Sequence, residues 1–199
     1  MFVDVSIETL NIDLMAVERA ITERTKAVLV VWYAGVSVEQ EALVELCRMH
    51  RLTLIEDAAQ CVGEWKLKGD YGAMSFHRSK NASCGEGGAL FVAPSYYERA
   101  STLCACGTDR WRDKRNWGWR TVGSSYLMSE YLGPVLLDSL KRVKLENERR
   151  RTLWRIYRDN IDTPLRAKYT GNGHIFWFLS SKQKELDERL NCMRHYEAL

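Results

Sequence analysis

The chain has 199 residues, 46% of them hydrophobic and only three of them proline, enough apolar material for one well-buried core and too little linker composition for a disordered chain. Lys and Arg outnumber Asp and Glu by 29 to 26, and a net charge of +3 is too weak to imply nucleic acid as a partner. Six cysteines without an apolar N-terminal signal segment read as reduced thiols, and no apolar run approaches the roughly 20 residues a membrane helix needs, so a soluble cytoplasmic protein is expected.

In chain order, TKAVLVVWYAG is an apolar, β-branched run ending in Gly35, which suits a buried strand. VEQEALVELCRMHR then places Leu43, Leu46 and Cys47 at helical spacing with charges between them. LTLIEDAAQ is a second buried strand that ends in acids. AMSFH and GALFVA predict further short strands across the Gly-rich turn GEGG. PSYYERASTLC opens with proline at a plausible helix start and stops before Gly107. The cysteines of its CAC end, Cys104 and Cys106, have no second Cys or His pair at finger-like spacing, which favours ordinary thiols over metal ligands.

Strand, helix and strand with apolar strands predict an α/β fold, a parallel or mixed sheet covered on both faces. From Ser129 the pattern becomes a long charged helix with Leu136, Leu137, Leu140 and Val143 as its apolar stripe, and Pro134 near its first turn or kinking it. Its run Arg149-Arg150-Arg151 is balanced by Glu146 and Glu148, as on a solvated helix face. HIFWFLSS as a strand and KQKELDERLNCMR as a helix would begin a small α+β lobe. The expected division is 1–128, a partial large domain; 129–161, a connecting helix; and 162–199, an incomplete small domain.

Reactive groups concentrate where strands are expected to end, the place where ligands settle in open α/β sheets. Asp57 and Gln60 follow TLIE, while Ser75, His77 and Lys80 end or follow the next strand. A lysine captures carbonyls once its amine is partly deprotonated, a carboxylate can hold a pyridinium nitrogen protonated, and a serine hydroxyl can bind phosphate. Taken singly, Asp57 is also an ordinary strand-end acid or cap, Lys80 an exposed lysine, and GEGG a turn.

Five segments in sequence carry a resemblance: FVDVSIETLNID, AITERTKAVLVVWYAGV, LIEDAAQCVG, SFHRSKNASCGEGGA and WRTVGSSYLMSE. They resemble, in the same order, the large-domain middle of the sugar-nucleotide aminotransferases of the aspartate-aminotransferase fold class, with SFHRSKN and GEGG most diagnostic. The resemblance implies the fold type I architecture of pyridoxal-phosphate-dependent transferases. It implies that Lys80 forms the Schiff base to pyridoxal 5'-phosphate and carries the proton of the 1,3-shift. Asp57 would pair with the pyridine nitrogen, Gln60 would lie against the ring hydroxyl, Ser75 would bind the phosphate and Ala59 would pack beneath the ring. His77 lies near the lysine and is open to a structural role. Ser125 stands where many relatives place an asparagine that reaches the neighbouring subunit's phosphate, so a homodimer is implied. The implied reaction moves an amino group from L-glutamate to a nucleotide-linked 4-keto-6-deoxy sugar.

The resemblance also implies differences. Relatives begin upstream of Met1, with an aromatic ring that stacks on the cofactor and a backbone cradle for its phosphate, and they continue beyond Leu199. Such contacts are worth about 0.5–3 kcal/mol each, so weak cofactor binding is expected without them. Trp32 replaces a histidine common after that strand, and Gly133 and Pro134 stand where relatives carry helix-favouring residues. A fragment, a degenerate copy and a piece completed by another polypeptide all remain open. Two other functions compete: a pyridoxal-dependent sugar dehydratase, which would carry histidine in place of Lys80, and an inactive dimerisation module.

Overall fold

The computed structural model describes residues 1–36, 39–63 and 66–160, together with the backbone of two short strands further on. Helix α1 (Leu14–Ala20) starts where the Asp13 carboxylate accepts a hydrogen bond from the Ala16 amide at 2.8 Å, an N-cap that satisfies an otherwise orphaned donor. Strand β1 (Ala27–Val31) leads to α2 (Gln40–Met49) and β2 (Thr53–Asp57). Then come β3 (Tyr71–Ser75), β4 (Gly88–Val92), α3 (Tyr97–Cys104) and α4 (Gly133–Asn160). Among the later residues, β5 (Leu165–Arg166) pairs antiparallel with β6 (Phe178–Leu179). The predicted helix over KQKELDERLNCMR lies outside the described residues, as does most of HIFWFLSS. No helix among the described residues is long and apolar enough to cross a membrane.

Strands β1 to β4 form one sheet in chain order, the first three parallel and β4 antiparallel to β3. The architecture is therefore α/β with a mixed sheet. Its core gathers where the expected helical residues Leu43, Leu46 and Cys47 of α2 meet Val28 and Val30 of β1 and Leu54 of β2, all buried. Val17 of α1 joins the same cluster, so both helices cover one face of the sheet. A second cluster, Val62, Phe76, Ala82 and Cys84, receives Val143 of α4.

Several expectations are corrected. The first strand ends at Val31 rather than Gly35, because residues 33–35 wind into a 3₁₀ turn in which Ala34 takes a left-handed φ of 57°. Among the described residues, the helices leave one face of β1 open. Val28 and Val30 are buried, but Leu29 and Val31, pointing the other way, are 59% and 46% exposed, because α1 and α2 pack on the opposite side. The AMSFH strand begins two residues earlier, at Tyr71, and ends at Ser75; Phe76 then turns into the second core cluster.

The long helix runs from Gly133 to Asn160 with Pro134 in its first turn, where a missing N–H costs nothing. Its expected stripe holds in part: Leu136 and Val143 pack against the second cluster, Leu137 and Leu140 are exposed, and Asn147 and Trp154 are buried as well. The inward face has to meet polar loop backbone as well as apolar side chains, so the leucines alone do not mark it.

Candidate functional site

Parallel pairing puts the C-terminal ends of β1, β2 and β3 on one side, with Val31, Asp57 and Ala73 in register across the three strands. Side chains alternate along a strand, so Ser75, two residues beyond Ala73, shares a face with Asp57. This is the uncovered face. Asp57 and Ser75 are each half-buried at its carboxyl edge.

Asp57 Oδ1 accepts a hydrogen bond from the Ala59 amide at 3.0 Å, which tightens the turn after β2. Its Oδ2 is left without a hydrogen-bond partner among the described residues. Glu56, on the other face of β2, is wholly buried and belongs to the core instead. Gln60 is buried too, and its Oε1 accepts from the Ala34 amide at 2.7 Å, holding the left-handed turn after β1 against the strand end. Ala59 is half-buried beside it.

The segment after β3 is a compact loop. Ser75 Oγ accepts from the His77 amide at 3.3 Å, and the Lys80 amide donates to the His77 carbonyl at 2.9 Å. The His77 ring is turned inward on the loop: its Nδ1 lies 3.0 Å from Ser79 Oγ and 3.3 Å from the Ser79 amide. His77 is thus a turn-forming residue. The Gly-rich arm closes the loop, with the Phe76 amide donating to the Gly87 carbonyl and the Arg78 amide to the Gly85 carbonyl, both at 2.9 Å. Lys80 is half-buried, and its ammonium has no carboxylate partner among the described residues.

Ser125 lies elsewhere. It bridges Ala105 at the end of α3, is exposed, and shares no hydrogen bond with Asp57, Gln60, Ser75 or Lys80. Asp57 and Ser75 thus share one sheet face, Ala59 and Gln60 follow in the turn after β2 and Lys80 in the loop after β3, while Ser125 pairs with Ala105 after α3.

Two polar residues that sequence reasoning passed over hold this edge. Ser139 and Asn147, both on α4, take hydrogen bonds from the loops: Ser139 Oγ from the Ser83 amide at 2.9 Å, and Asn147 Oδ1 from Asn81 Nδ2 at 2.7 Å. Their signal was available as period. Residues 139, 143 and 147 lie four apart on one helix face, and an asparagine in that stripe marks a polar partner beneath it. Among the described residues no group of three or more His, Cys, Asp or Glu stands together.

The residues present suit pyridoxal phosphate: Asp57 has a carboxylate oxygen to spare, Ser75 puts a hydroxyl on the same sheet face, and Lys80 follows in the next loop. Comparisons with known proteins point to one family. The model of the DegT/DnrJ/EryC1/StrS aminotransferase family matches residues 1–172. A protein of Methanocaldococcus jannaschii is 33% identical over 175 residues, covering 81% of this chain and 45% of that protein. A Micromonospora echinospora protein named for L-glutamine:3-amino-2,3-dideoxy-scyllo-inosose aminotransferase activity is 37% identical over 146 residues, covering 70% of this chain and 35% of that one.

Among solved structures, Helicobacter pylori PseC, an aminotransferase involved in the biosynthesis of pseudoaminic acid, superposes with a TM-score of 0.80 at 26% identity. It covers 96% of this chain and 56% of its own. The aminotransferase TlmJ from Streptoalloteichus hindustanus gives 0.79 at 29% identity, with 96% and 56% covered. The fold is that of the type I pyridoxal-phosphate-dependent aminotransferases. The chain spans less than half the length of the curated relatives it matches.

Proposed function

Since the chain belongs to the DegT/DnrJ/EryC1/StrS aminotransferase family, we propose that it forms the catalytic part of a pyridoxal-phosphate-dependent sugar aminotransferase. Its substrate is a nucleotide-linked 4-keto-6-deoxy sugar and its amino donor L-glutamate, as in a dTDP-4-amino-4,6-dideoxygalactose transaminase. The product would serve an envelope polysaccharide such as lipopolysaccharide, made in the cytoplasm. The observation that carries the reading is that Asp57 and Ser75 share one sheet face at the carboxyl ends of neighbouring strands, with Lys80 in the loop that follows β3.

Bound pyridoxal phosphate supplies an electron sink for the carbon that loses its proton. The residues of the chain do the rest. Asp57, with an oxygen to spare beyond its bond to Ala59, would accept the hydrogen of the pyridinium nitrogen and so keep it protonated. Ser75 Oγ donates to the phosphate. Lys80 Nζ would hold the group and, when released as an amine, would be the base that carries the proton of the 1,3-shift. Ala59 offers a flat, small surface beneath the ring, and Gln60, fixed through Ala34, lies against the ring hydroxyl. Ser125, off this edge, serves the phosphate of a partner subunit in a homodimer.

In this reading residues 1–128 are the partial cofactor-binding domain, 129–161 the connecting helix and 162–199 the start of the small domain. The test is to incubate the chain with pyridoxal phosphate, reduce with borohydride and map the pyridoxyl group by mass spectrometry. Label concentrated on Lys80, and lost in Lys80→Ala, is the expected result; label spread over surface lysines would sink the assignment.

One observation favours a second reading, an inactive dimerisation module. Leu29, Val31 and Leu90 leave an apolar stretch of sheet uncovered. Amino transfer from glutamate to a keto sugar well above background would eliminate it.

A further inference from the structure

Helix α4 is mostly solvated, yet Asn147 on its inner face is only 1% exposed. Burying an amide without partners is costly, so a buried asparagine persists where its partners are fixed. Both partners belong to the loops that carry the candidate site. Asn147 Oδ1 accepts from Asn81 Nδ2 at 2.7 Å, and Asn81 is the residue after Lys80. Asn147 Nδ2 donates to the Val62 carbonyl at 3.0 Å, on the turn that also carries Asp57 and Gln60.

The backbone is built for this approach. Gly63 takes a φ of 136°, and a Cβ there would run into the Asn147 amide. On the same helix face Ser139 accepts from the Ser83 amide at 2.9 Å, and Val143 between them enters the cluster with Phe76 and Ala82.

One side chain thus ties the loop after β2 to the loop after β3, beside the apolar cluster that Val62 shares with Phe76, Ala82 and Cys84. We propose that Asn147 is a positioning residue: by joining Val62 to Asn81 it sets where Lys80 stands relative to Asp57. The inference rests on Lys80 being the pyridoxal-binding lysine. A lysine that must meet one carbonyl carbon gains from such fixing, because small misplacements of a reacting group cost large factors in rate. An asparagine that merely docks α4 would matter for stability and leave lysine reactivity alone.

The experiment compares the full chain with Asn147→Ala, Asn81→Ala and the double variant. Three quantities are read: melting temperature, the share of borohydride-trapped pyridoxyl on Lys80 relative to all other lysines, and the pH at which that share is half-maximal. Asn81→Ala leaves the Val62 bond intact and carries the test if Asn147→Ala fails to fold. The expected result is a fall of about tenfold in the Lys80 share in each single variant, no further fall in the double, and a displaced pH midpoint. An unchanged Lys80 share in Asn81→Ala, or a fall that tracks melting and vanishes on cooling, overturns the positioning role while leaving the aminotransferase reading intact. Absence of Lys80 label in the unmodified chain defeats that reading first, and this inference with it.

Discussion

The indole Nε1 of Trp32 donates a 3.0 Å hydrogen bond to Glu56 Oε1, joining the residue after β1 to the buried acid of β2. Gln40 Nε2 reaches the same oxygen at 2.7 Å, while the Lys68 and Gly69 amides donate to Oε2 at 2.8 and 2.6 Å. Glu56 therefore collects α2, the end of β1 and the segment before β3 around a wholly buried carboxyl group. Glu56→Ala strands buried donors and is expected to cost at least about 3 kcal/mol, at roughly 1–3 kcal/mol per unsatisfied group. Glu56→Gln keeps the shape but turns an N–H₂ toward two amides, and should fall between. Urea unfolding followed by circular dichroism measures both.

Much of this was legible in the sequence, and the exceptions have physical causes. Leu43, Leu46 and Cys47 announced α2 because helical period and burial coincide there. Asp57 and Ser75 could be placed at strand ends because apolar runs stop at them. Which of the two acids of LIEDAAQ faces the core could not be read. Glu56 is buried by partners from residues 32, 40, 68 and 69, all distant in sequence, and local pattern carries no trace of them. Asn147 could be placed on the inner face of α4 by its spacing from residues 139 and 143, but not its partners, which lie 66 and 85 residues away. The uncovered sheet face escaped notice because β1 reads as apolar throughout, whatever packs on it.

Asp57→Asn removes a carboxylate charge while keeping an oxygen for the Ala59 amide, so the turn after β2 is preserved. Pyridoxal phosphate affinity, followed by absorbance and by trapped label on Lys80, is expected to drop at least about tenfold, the equivalent of roughly 1.4 kcal/mol, with little change in melting temperature. An Asp57→Asn chain that binds as the unmodified one does would show that this carboxylate does not meet the cofactor's nitrogen.

Gly107 occupies a left-handed φ of 75°, its amide donates to the Thr102 carbonyl at 2.9 Å, and its carbonyl accepts from the Arg120 amide at 2.8 Å. A Cβ at this position would collide with the Thr121 carbonyl. Gly107→Ala has both a strained backbone and an unavoidable clash, and should destabilise by about 2–4 kcal/mol. Gly85 takes a φ of 100° with open space around it, so Gly85→Ala carries backbone strain alone and is expected to cost only about 1–2 kcal/mol. Melting temperatures of the two variants, measured side by side, separate the contributions.

The turn closed by Asp109 responds to acid. The Gly118 amide donates to Asp109 Oδ1 at 2.7 Å, and Arg120 Nε pairs with Oδ2 at 2.7 Å. Together they hold the Asp109 carboxyl below its ordinary value of 3.8, the Gly118 bond first and Arg120 second. A carboxyl kept ionised by the fold supports the loop at every pH above its free value and loses that support as acid protonates it. The loop from Asp109 to Arg120 should therefore stay fixed at neutral pH and loosen below about 3.8. Trp117 and Trp119, whose rings meet edge-on at 6.4 Å, report the change through their fluorescence. Asp109→Asn should show the loosened signal already at pH 7.

Thiol reactivity tests the packing at the other end of the same scale. Burial, and then the nearby Asp70, pushes the Cys47 thiol up to about 11, and burial followed by Asp57 and Glu56 pushes the Cys61 thiol higher still. Only thiolate alkylates, so at pH 8 the fraction available at Cys47 is on the order of a hundredth of that of a free cysteine. Iodoacetamide should therefore modify the half-buried Cys104 and Cys106 long before Cys47 and Cys61, as peptide mapping over a time course would record. The raised Cys47 value also sets an alkaline limit. Below pH 9.0 the thiol is neutral in both folded and unfolded chains, and stability is independent of it; between 9.0 and about 11 only the unfolded chain ionises, and the fold loses stability as pH rises. Cys47→Ala should lower stability at pH 7 through the cavity it leaves, yet flatten the decline between pH 9 and 11. A Cys47→Ala chain with an undiminished alkaline slope would show that this thiol is not the group that titrates.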